Sequence, residues 1–115
     1  MREFKSLKVW QLARHCALDI YHHTEGFPPS EKFGLQSQLR RSSTSIMANI
    51  AEGCGHASQR ELRRFLRIAR GSASEVESHL VLARDLNLLG DEAFSRISAD
   101  LRSLQRMLSA FVASI

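Results

Sequence analysis

An all-α fold, an antiparallel up-and-down four-helix bundle, follows from three features of this 115-residue sequence. Apolar residues recur at alternating three- and four-residue steps in four separate stretches. The breaks between those stretches are short and carry Gly, Pro or Ser. No stretch shows the two-residue alternation of a half-buried strand, and no internal repeat is present. Short connections between amphipathic helices give antiparallel neighbours, so residues 1–115 read as a single bundle domain.

The first helix is predicted over residues 5–23. Trp10, Ala13, Ala17 and Ile20 mark its core line, and Val9, Leu12, Cys16 and Tyr21 widen the apolar face. Pro28 and Pro29 cannot continue a helix, and Gly26 loosens the chain just before them. Ser30 is a suitable N-cap for a second helix over residues 31–52, with Glu31 in its first turn and Gly53 and Gly55 at its end. Leu35, Leu39, Ile46 and Ile50 form its stripe, interrupted by Ser42-Ser-Thr-Ser45. Such hydroxyls can bond back to carbonyls one turn earlier, and their small size lets another helix approach.

Ser58-x-x-Glu61 is a capping box that starts a third helix over residues 59–88. Leu62, Leu66, Ala69, Ala73, Val76, Leu80 and Ala83 keep an unbroken 4-3 pattern along it. Gly71 lies in its interior, where Gly costs about 1 kcal/mol relative to Ala, and close backbone contact is the expected compensation. Gly90 and Asp91 supply a stop and a fresh N-cap for a fourth helix over residues 92–113. Its seam is Phe94, Ile97, Leu101, Leu104, Leu108, Phe111 and Ile115.

Composition narrows the function classes. No apolar run approaches the ~20 residues that span a bilayer, and no signal peptide opens the chain. Cys16 and Cys54 have no framework spacing, so a reduced, cytoplasmic setting is expected. The third helix carries a second line beside its core stripe, through Phe65, Ser72, His79, Leu82 and Leu86. One bundle interior needs about three residues per heptad from each helix, so the surplus predicts self-association.

The net charge is +4, and the 16 basic residues are mostly arginine. Arg60, Arg63, Arg64, Arg67 and Arg70 fall within eleven residues that hold one carboxylate, Glu61. Arg60, Arg63, Arg64 and Arg67 share one broad helix face, and Arg40 and Arg41 on the second helix are candidates to extend it. A strip of guanidinium groups suits a phosphate backbone, without sequence readout. The competing reading is a solvated face whose arginines pair with Glu61, Glu75 and Glu77 within or between subunits.

A second polar group comprises Asn49, Glu52, Arg70, Ser72 and Glu75, set among apolar residues. Its expected role is a structural hydrogen-bonded network that fixes register between helices or subunits. An enzymatic reading, a nuclease or transferase using Glu52 and Arg70, lacks a nucleophile or second carboxylate at a fitting spacing. His15, Asp19 and His22 or His23 share a face of the first helix, and Cys54-Gly-His56 forms a turn. Neither supplies the four ligands of a structural zinc site, and Glu-x-x-His does not occur. Gly53-Cys-Gly55 follows a helix, not a strand, and reads as a C-cap and not a phosphate loop. The expectation is therefore no metal, no cofactor and no catalytic residues.

Four segments taken together resemble a known family. They are Phe4-x-x-Leu-x-Val-Trp-Gln-x-Ala13, Phe33-Gly-Leu-x-x-Gln-Leu-Arg-Arg41, Ser45-Ile-Met-Ala-Asn-Ile-Ala-Glu-Gly53 and Phe65-Leu-x-Ile-Ala-Arg-Gly-Ser72-x-x-Glu75. Their order over about residues 4–90 is similar to the four-helix bundle proteins encoded in intervening sequences of bacterial 23S ribosomal RNA genes. That family includes the accessory variability determinant of diversity-generating retroelements. The resemblance implies a small basic bundle assembled as a ring-shaped homopentamer. In the retroelement branch it also implies binding to nucleic acid and to a reverse transcriptase, without catalysis. Met47 stands where the family usually has Pro, which removes the basis for a proline kink in the second helix. The expected function is a non-enzymatic oligomer that binds RNA or DNA through its arginine face. A plain homo-oligomeric scaffold is the first alternative, and a reverse-transcriptase accessory protein falls beside it.

Overall fold

In the computed structural model, which describes residues 2–115, four helices form an up-down-up-down bundle 43 × 23 × 20 Å across. They are α1 (Lys8–Thr24), α2 (Leu35–Cys54), α3 (Gln59–Asp85) and α4 (Asp91–Ser114). Each packs on its sequence neighbours, and α4 closes the square against α1. The α2–α3 seam is the most extensive. Among the described residues there is no strand.

The core is largely the predicted set of stripes, but Leu12 of α1 and Phe94, Phe111 and Ile115 of the α4 seam are only partly buried and Tyr21 is exposed. Leu39, Ile46, Ile50, Leu66, Val76, Leu80, Ile97, Leu101, Leu104 and Leu108 are fully enclosed, and Trp10 and Leu35 lie at its edges. Side chains of this size each contribute about 1.5–3 kcal/mol on burial, so this seam dominates the stability of the bundle.

The helix ends differ from the sequence expectation in four places, each for a local reason. First, α1 begins at Lys8, not at residue 5: Phe4–Ser6 form a 3-10 turn and Leu7 is extended, which folds Phe4 edge-on to Trp10 at 5.0 Å between ring centres. Second, Ser30 does not cap α2. Pro29–Glu31 form a separate 3-10 turn, and α2 starts at Leu35, where the Glu31 carboxylate accepts from the Leu35 amide at 2.9 Å. A Cβ at Gly34 would sit 2.5 Å from that carboxylate oxygen, so glycine makes the cap accessible. Third, α3 stops at Asp85. Asn87 adopts a left-handed φ of 60°, and the Leu88 and Asn87 amides bond back to the Ala83 and Arg84 carbonyls. This is a Schellman-type end with Asn in the position usually held by Gly. Fourth, Gly90 is the N-cap of α4, and Asp91 lies inside the first turn with Glu92, where both interact favourably with the positive end of the helix dipole.

The interior of α2 behaves as its hydroxyls predict. Ser42 donates to the Gln38 carbonyl at 2.7 Å, Ser43 to Arg40 at 3.1 Å and Thr44 to Arg40 at 2.9 Å. Their polarity is thus satisfied within the helix, and Ser42 and Ser43 are buried. With Met47 in mid-helix, α2 continues unbroken from Leu35 to Cys54.

The two glycines flagged in the helices exchange roles. Gly53 is the close contact: a Cβ there would lie 3.0 Å from the Phe65 Cβ and 3.1 Å from the Leu62 Cδ1. At Gly71 an added Cβ would meet nothing within 4 Å, so intrachain packing does not explain a glycine in the middle of α3.

Candidate functional site

The arginines of α3 divide by partner. Arg64 is held by Glu61 at 3.1 Å and lies over the Phe65 ring at 4.4 Å. His56 stacks near that ring as well, with centroids 5.2 Å apart. The Arg64 hydrogen bond lowers the Glu61 carboxyl pKa from its ordinary value, against the opposing effect of burial and with help from the charges of Arg64, His56 and Arg60. Arg63 is half-buried and donates to the Ile115 carbonyl, which ties α3 to the end of α4. Arg60, Arg67 and Arg70 are exposed and make neither ion pair nor hydrogen bond among the described residues. With Arg63 they follow steps of 3, 4 and 3, one flank of α3 about 15 Å long at 1.5 Å per residue.

That flank runs beside α4. Gln105 donates from Nε2 to the Ser74 Oγ at 3.2 Å, which sets α3 against α4 in antiparallel register. The register brings Arg102 and Arg106 of α4 to the same groove as Arg67 and Arg70 of α3, with Gly71, Ser74, Gln105 and Ser109. Four guanidinium groups and no carboxylate line it. Arg102 and Arg106 were not candidates from sequence. Their signal is a bare i, i+4 arginine pair on the polar side of an amphipathic helix, which acquires meaning only opposite Arg67 and Arg70.

The second-helix arginines lie elsewhere. Arg40 donates from Nε to the Thr24 Oγ1 at 2.9 Å, pairs with Glu25 at 3.1 Å and stacks on Tyr21 at 4.5 Å. It therefore locks α1 to α2 and does not extend the α3 strip. Arg41 is exposed on α2.

The polar residues read as one network are also separated. Asn49 donates from Nδ2 to the Ser45 carbonyl at 2.8 Å and to its Oγ at 3.1 Å, and the Ser45 Oγ lies 3.0 Å from the Ser72 Oγ. This Asn49–Ser45–Ser72 chain bridges α2 and α3. Glu52 is exposed on the α2 surface with Ala48, Asn49, Ala51 and Phe65. Arg70 faces the α3–α4 groove, and Glu75 lies 3.3 Å from His79 on its own helix. Glu52 and Arg70 thus occupy different surfaces, so the acid-and-cation pair of the enzymatic alternative does not converge.

Between α1 and α4, ligand atoms of His15, Asp19 and Asp100 lie within 4.8 Å of one another. Arg96 occupies Asp19, bonding its two oxygens at 2.8 and 3.3 Å and approaching the His23 Nε2 at 2.8 Å. The Asp19 hydrogen bond raises the Arg96 pKa further above its ordinary value. A guanidinium already neutralises this carboxylate, and the cluster is an ion-pair seam joining two helices. No helix among the described residues is long and apolar enough to cross a membrane.

Fold and flank together define a small antiparallel four-helix bundle protein with an arginine-lined outer groove. The chain belongs to the 23S rRNA-intervening sequence protein family, which it matches over residues 5–110. It is also similar to the crystal structure of a protein of unknown function from the S23 ribosomal protein family of Bacteroides thetaiotaomicron. The TM-score is 0.81 at 26% sequence identity, over 90% of this chain and 97% of that one. None of the curated proteins matches the chain.

Proposed function

We propose that this chain is a non-enzymatic, self-associating bundle that binds RNA or DNA through the arginine flank of α3. One observation carries the reading. Four arginines meet carboxylates: Arg40 with Glu25, Arg64 with Glu61, Arg84 with Asp85 and Arg96 with Asp19. Arg2, Arg14 and Arg41 stand singly on the N-terminal segment, α1 and α2 without one among the described residues. Along the flank, Arg60, Arg67 and Arg70 have no such partner among the described residues. Unpaired guanidinium groups repeated along one face match a polyphosphate, which releases its counterions on binding. The family's link to ribosomal RNA genes agrees with this reading.

The test is fluorescence anisotropy with labelled RNA and DNA across a salt series. Wild type is expected to bind at low salt with little preference for base sequence, because phosphate contacts position rather than specify. Arg60→Glu with Arg67→Glu should weaken binding strongly while the helix and assembly persist. Arg63 and Arg64 are poorer choices, since their partners on the chain make them structural. Failure of wild type to bind either polymer at low salt overturns the reading.

The scaffold alternative has its own support. Ile68 and Leu82 of α3 and Leu86 at its C-cap are 40–51% exposed, at helical spacing with His79 and Ser72. Apolar residues grouped in this way mark an interaction surface, and a homopentamer is the assembly the family resemblance implies. A reverse-transcriptase partner rests on that resemblance alone, and co-purification from a host carrying both genes tests it.

A further inference from the structure

We propose that the α3–α4 groove seats consecutive phosphates of a single polynucleotide strand, with Arg67 and Arg70 on one wall, Arg102 and Arg106 on the other and Gly71 between them. This rests on the reading that the arginine flank meets nucleic acid, and it specifies where the backbone lies and what admits it.

Two separate oddities of the chain meet in this groove. The first is electrostatic: packing two helices brings four guanidinium groups to one trough with no carboxylate among its lining residues. Water and salt screen part of their mutual repulsion, and an anion seated among them would offset the rest. The second is Gly71, in the interior of a 27-residue helix, where a Cβ would touch nothing in the chain. Glycine allows another molecule close access to backbone, and here it keeps the trough open between the arginines.

The wall length sets how much strand is engaged. From Arg67 to Ser74 the α3 wall is about 10 Å long at 1.5 Å per residue. A strand stacked as in a duplex advances about 3.4 Å per nucleotide, and an extended one more, so the wall faces at most about three phosphates. Guanidinium forks engage phosphate oxygens in pairs, and Ser74, Gln105 and Ser109 add neutral hydrogen-bonding groups. The Gln105–Ser74 bond holds the walls in register. No aromatic side chain lines the groove, so bases stay outside it and contribute no stacking preference.

The experiment measures anisotropy of a labelled single-stranded oligouridylate with wild type, Arg70→Gln/Arg106→Gln and Gly71→Leu. It also follows thermal unfolding of each protein in tripolyphosphate. For up to three phosphates the log–log salt slope of wild type is expected at about −2, at ~0.7 per phosphate on a single strand. The glutamine pair should weaken binding by about tenfold or more and roughly halve the slope. Gly71→Leu keeps every charge yet fills the trough, and should also weaken binding about tenfold. Tripolyphosphate should raise the melting temperature of wild type but not of the glutamine pair. If both variants bind within about twofold of wild type while Arg60→Glu/Arg67→Glu does not, the flank reading stands and the groove proposal falls. If tripolyphosphate stabilises wild type but no oligonucleotide binds, the groove holds free oligophosphate and the strand proposal falls. Should Gly71→Leu fail to fold, the glutamine pair, which changes exposed side chains alone, decides the matter.

Discussion

Ser45 and Ser72 bring their hydroxyl oxygens to 3.0 Å across the α2–α3 seam, and the Asn49 amide holds the Ser45 side from one turn along α2. This is the one place where polar side chains of the two most extensively packed helices are joined by a hydrogen bond among the described residues. It lies beside buried Ile46 and Ile50, so its geometry is tied to the core.

Removing Asn49 takes a donor from Ser45. Asn49→Ala is therefore expected to lower stability by about 1 kcal/mol, and Ser72→Ala by a similar amount. The pair Ser45→Ala with Ser72→Ala should cost less than the sum of the singles, because each single change breaks the same bond. Glu52→Ala should stay within about 0.5 kcal/mol of wild type, since its side chain is exposed. Urea unfolding of these variants together with the Ser45→Ala single measures these differences, and an additive double mutant would show that the hydroxyl pair is not coupled.

Gly53 and Gly71 should respond to alanine with opposite signs. At Gly53 the new methyl meets the Phe65 Cβ at 3.0 Å and the Leu62 carbonyl oxygen at 3.3 Å, and those groups have little room to yield. Overpacking of this kind costs about 1–3 kcal/mol. At Gly71 the space is open, and alanine should stabilise the unliganded fold by about 0.4–1 kcal/mol through helix propensity and a less flexible unfolded chain. Thermal melts of the two variants would check the contrast.

Cys16 makes stability fall at high pH. Burial first, then the negative charges of Asp100 and Asp19, push its thiol from 9.0 up to about 12. The folded state holds the proton more tightly than the unfolded chain, so the contribution is complete below pH 9.0. It is lost as pH rises from 9.0 toward about 12, by about 1.4 kcal/mol per pH unit. Cys16→Ala should lack this limb, so that the gap between wild type and variant changes over that window. A constant gap from pH 8 to 11 in urea titrations would remove the thiol as its source.

Self-association is expected to use the second face of α3. Light scattering should give about five times the 13.0 kDa chain mass if the family-type ring forms. Leu82→Glu with Leu86→Glu should reduce the mass without unfolding the chain, since both side chains are about half exposed in the single chain. A wild-type monomer at micromolar concentration would sink both expectations.

Much of the bundle was legible before any coordinates. The stripes Leu62–Leu66–Ala69–Ala73–Val76 and Ile97–Leu101–Leu104–Leu108 are buried because helical periodicity and burial coincide. Ser58 caps α3 as its spacing from Glu61 implies, with the Glu61 amide donating to the Ser58 Oγ at 3.3 Å. The ends that shifted, at Leu7, Gly34 and Asn87, do so where a turn residue has several local options and a contact a few residues away selects one. Phe4 on Trp10 is such a contact.

Four helices, their core faces and an excess of arginine near the start of α3 were readable from the residues, because periodicity, capping and charge density act within a few residues. Which arginines are engaged depended on how the helices pack. That packing turned Arg40 into a clasp on Thr24 and Glu25, anchored Arg63 at Ile115, and set Arg102 and Arg106 beside Arg67 and Arg70. Those outcomes depend on the register and rotation of one helix against another. Packing of the whole core sets both, and a shift of one residue along α4 turns each of its side chains by about 100°, enough to carry both arginines out of the groove.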